Sequence, residues 1–390
     1  MDALTTPSNW QKVRLGDMTT SFTKQTGFDY SASIKPTLIK EQLPNYIPFI
    51  QNKDFLGHYI NYKTDYFIPN EIAIRFSQIL LNEKCLLISI SGAIGNVAVF
   101  NHSQDAFIGG TIAVLKFKEK KSLDFVMHFL MSASGQKLLL NSVKSSSHKN
   151  LTIADLRDLL IPLPPLNEQI AIANILSDVD RYLYALDALI LKKESVKKAL
   201  SFELLSQRKR LKGFNQNWQK VRLRDIANYL TSNLSVEQIT QQGKIKVYDV
   251  NNFIGYTDTT FISDKPYISI VKDGSVGRVR ILPPKTNILS TMGALVANHK
   301  TTTEFLFYLL SNFDFKNFTS GSIIPHIYFK DYKEKTIFLP PLNEQIAIAN
   351  VLSDVDHEII SLKNKKRQFE NIKKALNHDL MSAKIRVLKK

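Results

Sequence analysis

Along two stretches of the chain, apolar residues recur every three or four positions. In the first they are Leu176, Val179, Leu183, Leu186 and Ile190, then Leu200 and Leu204. In the second they are Leu352, Val355, Ile359 and Leu362, then Phe369, Leu376 and Leu380. This heptad-like spacing predicts amphipathic helices with a paired-helix seam. Neither 166–210 nor 342–388 contains Gly or Pro, so each helix can run ~40 residues, about 60 Å at 1.5 Å per residue. Pro164-Pro165 and Pro340-Pro341 stand just before the expected starts, where a helix tolerates proline. Asn167 and Asn343 are the expected N-caps, with Glu168 and Glu344 in the favourable first turn.

The remaining segments, 10–160 and 218–337, have another pattern. Short β-branched and aromatic runs, such as 106–117, 245–250 and Tyr267–Val271, alternate with Gly, Pro, Asn and Asp. They predict β-rich domains, each with one clear helix near 124–140 and 303–318. The expected fold class is α+β, with two similar β-rich domains separated by an antiparallel pair of long coiled-coil helices in pseudo-twofold symmetry.

An internal repeat supports this organisation. LPPLNEQIAIANILSDVD at 163–180 recurs as LPPLNEQIAIANVLSDVD at 339–356, with only Ile175 and Val351 different. WQKVRLGD at 10–17 recurs as WQKVRLRD at 218–225. Matching elements follow in the same order while the loops between them differ in length. The boundaries implied are 1–162 (first domain), 163–212 (first helical spacer), 213–338 (second domain) and 339–390 (second spacer). On the seam Lys366 replaces Ile190 and Phe369 replaces Lys193. Such differences suit pairing of the two helices with each other. The alternative is that each helix packs separately on its own domain.

Polar identity in the repeat exceeds what apolar packing demands. Asn167, Glu168, Gln169, Asn174 and Asp178 are matched by Asn343, Glu344, Gln345, Asn350 and Asp354. These ten residues are the candidate docking surface for two copies of one partner. Recombination between the DNA copies is the rival explanation.

Charge adds a partner class. Lys plus Arg number 51 against 35 Asp plus Glu, a formal net charge of +16. The surplus is spread nearly evenly over the four segments, which suits a large surface laid along a polyanion. Cys85 is the only cysteine, so no internal disulfide can form, and a zinc module is disfavoured. No run approaches the ~18 apolar residues of a membrane span, and the first residues lack a secretory pattern. The expected location is cytoplasmic.

The candidate DNA contacts lie on loops, where recognition residues gather. In the first domain they are Lys53, Arg75, the turn Ser91, Gly92, Gly95 and Asn96, and the polar loop with Lys144, Ser147, His148 and Lys149. In the second they are Lys244 and Lys246, then Lys272, Gly274, Ser275, Gly277, Arg278 and Arg280 around the matching turn. Ser320, Ser322 and His326 complete the set. The two G-x-[IV]-G turns lack the GxxxxGK[ST] pattern of a nucleotide cradle. They read either as turns that bring backbone N–H groups to a DNA phosphate or as plain turns between strands. The polar loops can meet phosphates and base edges or simply be solvated.

Taken together, the W-x-x-V-x-L-x-D starts at Trp10 and Trp218, the G-x-[IV]-G turns and the two L-P-P-L-N-E-Q-I-A-I-A-N helix starts resemble the DNA specificity subunit of type I restriction–modification systems. The resemblance spans essentially the whole chain; Arg224 in place of Gly16 is one departure. It implies two target-recognition domains, each reading one half of a split double-stranded DNA sequence, with the helices setting the spacer. It also implies assembly with two methyltransferase subunits and with restriction (helicase–nuclease) subunits. S-adenosylmethionine, ATP and Mg2+ would then be bound by those partners, and this chain would carry no catalytic or metal-binding residue. No N-P-P-[YF] methyltransferase motif and no Walker A pattern is present. The other classes are a protein–protein scaffold with non-specific DNA affinity and a self-contained DNA-modifying enzyme.

Overall fold

The computed structural model describes residues 9–143 and 150–387. The chain forms two compact units. The first comprises Met1–Ala185 with Lys366–Lys390, and the second Leu186–Lys365. Two helices of 40 residues each, Leu166–Leu205 and Leu342–Met381, contribute to both units.

In the first unit an antiparallel sheet runs in the order Thr19–Lys24, Ile112–Phe117, Cys85–Ser89, Val97–Phe100. Cys85–Ser89 is an unbroken buried run, because both of its faces meet a core. Leu86 and Ile88 point into a cluster with Phe125 and Leu130 of the helix Leu123–Met131 and with Ile172 and Leu176 of the first long helix. Cys85 and Leu87 point the other way, into a cluster with Phe49, Ile50 and Phe107 of a second sheet. This two-residue alternation is the pleat of a strand expressed as burial. The second sheet has the order Phe67–Pro69, Tyr46–Ile50, Ala106–Ile108, Leu80–Leu81.

The second unit repeats the plan. Its main sheet runs Ala227–Thr231, Met292–Ala297, Tyr267–Val271, Val279–Leu282. Ile268 and Ile270 face the helix Thr303–Ser311 and the start of the second long helix, while Tyr267 and Val271 face the second cluster. The smaller sheet has only Phe253–Thr257, Ile245–Tyr248 and Asn287–Ile288. The longer first unit places part of its extra length in Phe67–Pro69, the helix Asn70–Arg75 and Leu80–Leu81.

A short two-stranded ladder closes each domain. Gln11–Arg14 pairs antiparallel with Leu160–Leu163, and Gln219–Arg222 with Thr336–Leu339. The repeated tryptophan start is thereby placed beside the repeated proline pair. Both long helices begin at the leucine after those prolines. Pro165 O accepts from the N–H of Glu168 and Gln169, and Pro341 O from Glu344 and Gln345. The prolines therefore hold the cap position, and Asn167 and Asn343 lie inside the first turn, which corrects the expected N-caps.

Among the described residues no helix is long and apolar enough to cross a membrane. Cys85 is fully buried, and burial pushes its thiol up to about 12. Thiolate is the reactive form, so a thiol reagent such as Ellman's is expected to leave Cys85 untouched at pH 8 in the native protein and to react promptly in denaturant.

Candidate functional site

The seam between the long helices has a fixed register in each unit. In the first unit the Tyr182 and Phe369 rings lie 4.5 Å apart, and Lys373 pairs with Asp180. In the second unit Lys193 pairs with Glu358, and Lys197 with Asp356 at 2.5 Å. In both, residue numbers fall on one helix as they rise on the other, so the helices run antiparallel. Each pair in one unit lies 176 positions from its counterpart in the other. Where one unit uses an aromatic pair, the other uses an ion pair. Like-with-like pairing of either helix would set Tyr against Lys or Glu against Phe, so these positions favour unlike partners.

Burial divides the ten candidate docking residues into two sets. Asn167, Asn174 and Asp178 are exposed, as are Asn343, Asn350 and Asp354. Steps of seven and four residues place each trio on one helix face. Glu168, Gln169, Glu344 and Gln345 are buried, which corrects their placement on a docking surface. Arg210 Nε and Nη2 donate to Glu344 at 3.1 and 2.6 Å, and the Trp218 indole N–H donates to the same carboxylate at 3.0 Å. In the first unit Arg386 Nε lies 3.1 Å from Glu168. Gln345 Nε2 donates to Lys300 O and Pro340 O, and its Oε1 accepts from Thr301 Oγ1 and the Thr302 N–H. Gln169 Nε2 donates to Pro164 O. Bonding inside the units accounts for Glu344, Gln345, Glu168 and the Gln169 amide N–H, since an unpaired buried polar group is costly, while the buried Gln169 Oε1 has no partner among the described residues.

Asp180 and Asp356 show how the units diverge. Tyr308 OH donates to Asp356 at 2.9 Å. Burial pushes the Tyr308 hydroxyl up strongly, and that bond adds to the effect. In the first unit His128 takes the equivalent place, and His58 Nε2 lies 3.2 Å from Asp180 Oδ2. Burial holds His128 down to about 3, with His58 and Lys373 adding repulsion. Burial also lowers His58, although Asp180 opposes it.

The second group of candidates sits at the turns. Gly92, Gly95, Gly274 and Gly277 all have positive φ, which explains glycine at each. A Cβ on Gly277 would also lie 2.7 Å from Phe315. The turn amides are mostly used internally. Gly95 N–H donates to Ser89 O, Gly277 N–H to Val271 O, Val276 N–H to Gly274 O and Gly274 N–H to Pro325 O. A backbone phosphate cradle is therefore poorly supplied with free donors, and side chains are what these turns present.

In each unit a residue at the turn bridges to one that follows or closes the polar loop, an adjacency that the sequence did not predict. Ser91 bridges to Asn150, and Asp273 to His326. Lys144, Ser147, His148 and Lys149 lie outside the described residues. Asn96, Ser275, Arg278, Ser320 and Ser322 are exposed around the turns, Lys272 is half-buried, and His326 Nδ1 is 2.6 Å from Asp273 Oδ1. Asn52 Nδ2 donates to Ser91 O at 2.7 Å, drawing Lys53 toward the first turn, but the Lys53 ammonium is paired with Asp65. Arg280 Nη1 donates to Asn251 O, and its guanidinium lies over the Tyr248 ring. Lys246 lies over Phe253, and Lys244 is exposed. Arg75 is exposed at the end of Asn70–Arg75, on the inserted element.

Sequence reasoning missed Asn52, Asp273, Arg210 and Arg386. The last two were detectable, because they too stand 176 positions apart. Among the described residues no group of three or more His, Cys, Asp or Glu is placed to hold a metal ion.

Two β-rich domains of one topology, each followed by a long helix, define a class that comparison identifies. The chain belongs to the type I restriction modification DNA specificity domain family, whose model matches residues 7–194 and 215–371. It is similar to the type I restriction enzyme MjaVIII specificity subunit of Methanocaldococcus jannaschii, at 24% identity over 99% of this chain and 95% of that one. A putative MjaX specificity subunit from the same organism is 29% identical over 75% of this chain and 76% of its own. The crystal structure of a type I restriction–modification S subunit from M. genitalium shares the fold, with a TM-score of 0.64 at 20% identity, covering 95% of this chain and 96% of that one.

Proposed function

We propose that this chain is the sequence-reading, non-catalytic subunit of a type I restriction–modification complex. It binds a bipartite duplex target, one half-site per β-rich domain, and the long helices set the spacer between them. Two methyltransferase subunits dock on the repeated exposed faces at Asn167, Asn174 and Asp178 and at Asn343, Asn350 and Asp354. Restriction subunits join the larger assembly. S-adenosylmethionine, ATP and Mg2+ are held by those partners, and the complex works in the cytoplasm.

One observation carries the reading: a single topology is used twice with different loop chemistry at the same place. Ser91 and Asn150 meet where Asp273 and His326 meet in the other unit. A repeated scaffold with unlike loops suits two unlike base sequences. The surplus of basic residues supplies the phosphate attraction that non-specific affinity requires.

The test is a single-molecule methylation map of DNA from cells carrying this chain with its methyltransferase. A split target with unlike halves is expected. Four residues are then inserted into both helices, between Ala185 and Leu186 and between Lys365 and Lys366, so that the seam keeps its register. Each helix lengthens by ~6 Å, and the spacer is expected to grow by one or two base pairs with both half-sites unchanged. A continuous target, or an unchanged spacer in a complex that still methylates, would sink the corresponding part of the proposal.

A further inference from the structure

The polar loop of the second unit ends in two side chains that the unit leaves uncovered. Ile323 is 93% exposed and Ile324 55%. Beneath them the loop is closed and fixed. Ser320 and His326 exchange two backbone hydrogen bonds, at 2.9 and 2.7 Å. Pro325 O accepts from Gly274 N–H, and Lys272 O from Ile327 N–H, so the loop is sewn to the G-S-V-G turn. The His326–Asp273 contact adds a side-chain fastening. Gly321 has φ +91°, and a Cβ there would fall 2.3 Å from Ile324 O, so glycine is required at the bend.

A single exposed isoleucine is ordinary. Here, however, the loop is held in one shape and presents Ile323 outward, so little ordering entropy remains to be lost on binding. The turn that carries the loop also bears Lys272 and Arg278. An apolar tip on a basic mount matches a DNA groove, where phosphates flank the base edges. In the major groove the apolar feature of those edges is the thymine 5-methyl group. We infer that Ile323 is a specificity-determining residue that packs on a thymine methyl in the half-site read by the second unit. The inference rests on the DNA-reading function proposed above.

The test uses the assembled complex with its methyltransferase and duplexes carrying the mapped target. Thymines of both half-sites are replaced one at a time by deoxyuridine, which removes only the methyl group. One replacement, in one half-site, is expected to weaken wild-type binding roughly fourfold, the factor for ~0.8 kcal/mol per buried methyl-sized group. Ile323→Ala should melt at the wild-type temperature, bind the intact target more weakly and lose that one sensitivity while keeping the others. If no deoxyuridine weakens binding, or if wild type and variant respond alike at every position, the inference is overturned. A uniform loss across all duplexes also overturns it, by placing the tip on phosphate or on the methyltransferase. These failures leave the DNA-reading proposal intact so long as the target is preferred over a scrambled duplex; loss of that preference in the wild type defeats both.

Discussion

Glu344→Lys is expected to destabilise the second unit by about 3–5 kcal/mol, the usual cost of leaving a buried charge without its partner. The carboxylate is 1% exposed, and it accepts from Arg210 and from the Trp218 indole. Reversal strands the indole N–H and sets two cations together. Arg210 is partly exposed, so solvent offsets some of the repulsion and the lower end of the range is the better expectation. Glu168→Lys should cost less. Its described partner is Arg386, which is more exposed, and the buried Trp10 indole N–H has no hydrogen-bond partner among the described residues. Urea unfolding of the two variants checks the order. Asp354→Lys is the contrast: on the exposed face it should stay within about 0.5 kcal/mol of wild type while weakening capture of the methyltransferase. A folded, stable Glu344→Lys protein would refute the assignment of this residue to the interior.

Acidification is expected to loosen the first unit before the second. His128 is held down to about 3 by burial, against an ordinary value of 6.5. Between those two values the unfolded chain binds a proton that the folded unit does not. The contribution is thus fully present above pH 6.5 and falls by up to ~1.4 kcal/mol per pH unit as the pH drops toward 3. His58, also lowered by burial, acts in the same direction, with Asp180 and Lys373 beside it. In the second unit Tyr308 occupies the equivalent place and stays neutral across this range. Hydrogen–deuterium exchange at pH 7 and pH 5 checks this. Peptides covering Leu123–Met131 should lose protection at pH 5, while those covering Thr303–Ser311 change less. His128→Tyr, which supplies the hydroxyl that the second unit already uses, should flatten the difference. Equal loss in both units would reject the role of His128.

Much of the architecture was legible because it is written in periodicity. The seam residues Leu176, Leu186 and Ile190 are buried or nearly so, and the 40-residue helices start beside the predicted prolines. The strand Tyr267–Val271 was readable from its β-branched run, although not the fact that both of its faces are covered. Less of the candidate site was legible. The G-x-[IV]-G pattern read as a turn, and turns form at both places, but the same pattern could not show that most of the turn amides are bonded within the protein. Lys53 reads as a candidate DNA contact, and its pairing with Asp65 was not legible because Asp65 lies on a different loop.

The repeat of 163–180 at 339–356 determined, unaided, that one fold is used twice and that each copy ends in a long helix. It also singled out which polar residues are kept alike. Only the tertiary structure decided why. Asn174 and Asp178 face outward, whereas Glu168 and Gln169 turn inward. Identity along a helix is blind to that choice. The inward face is set by what packs on it, and here that includes Arg210 or Arg386, each arriving from the far end of the other helix.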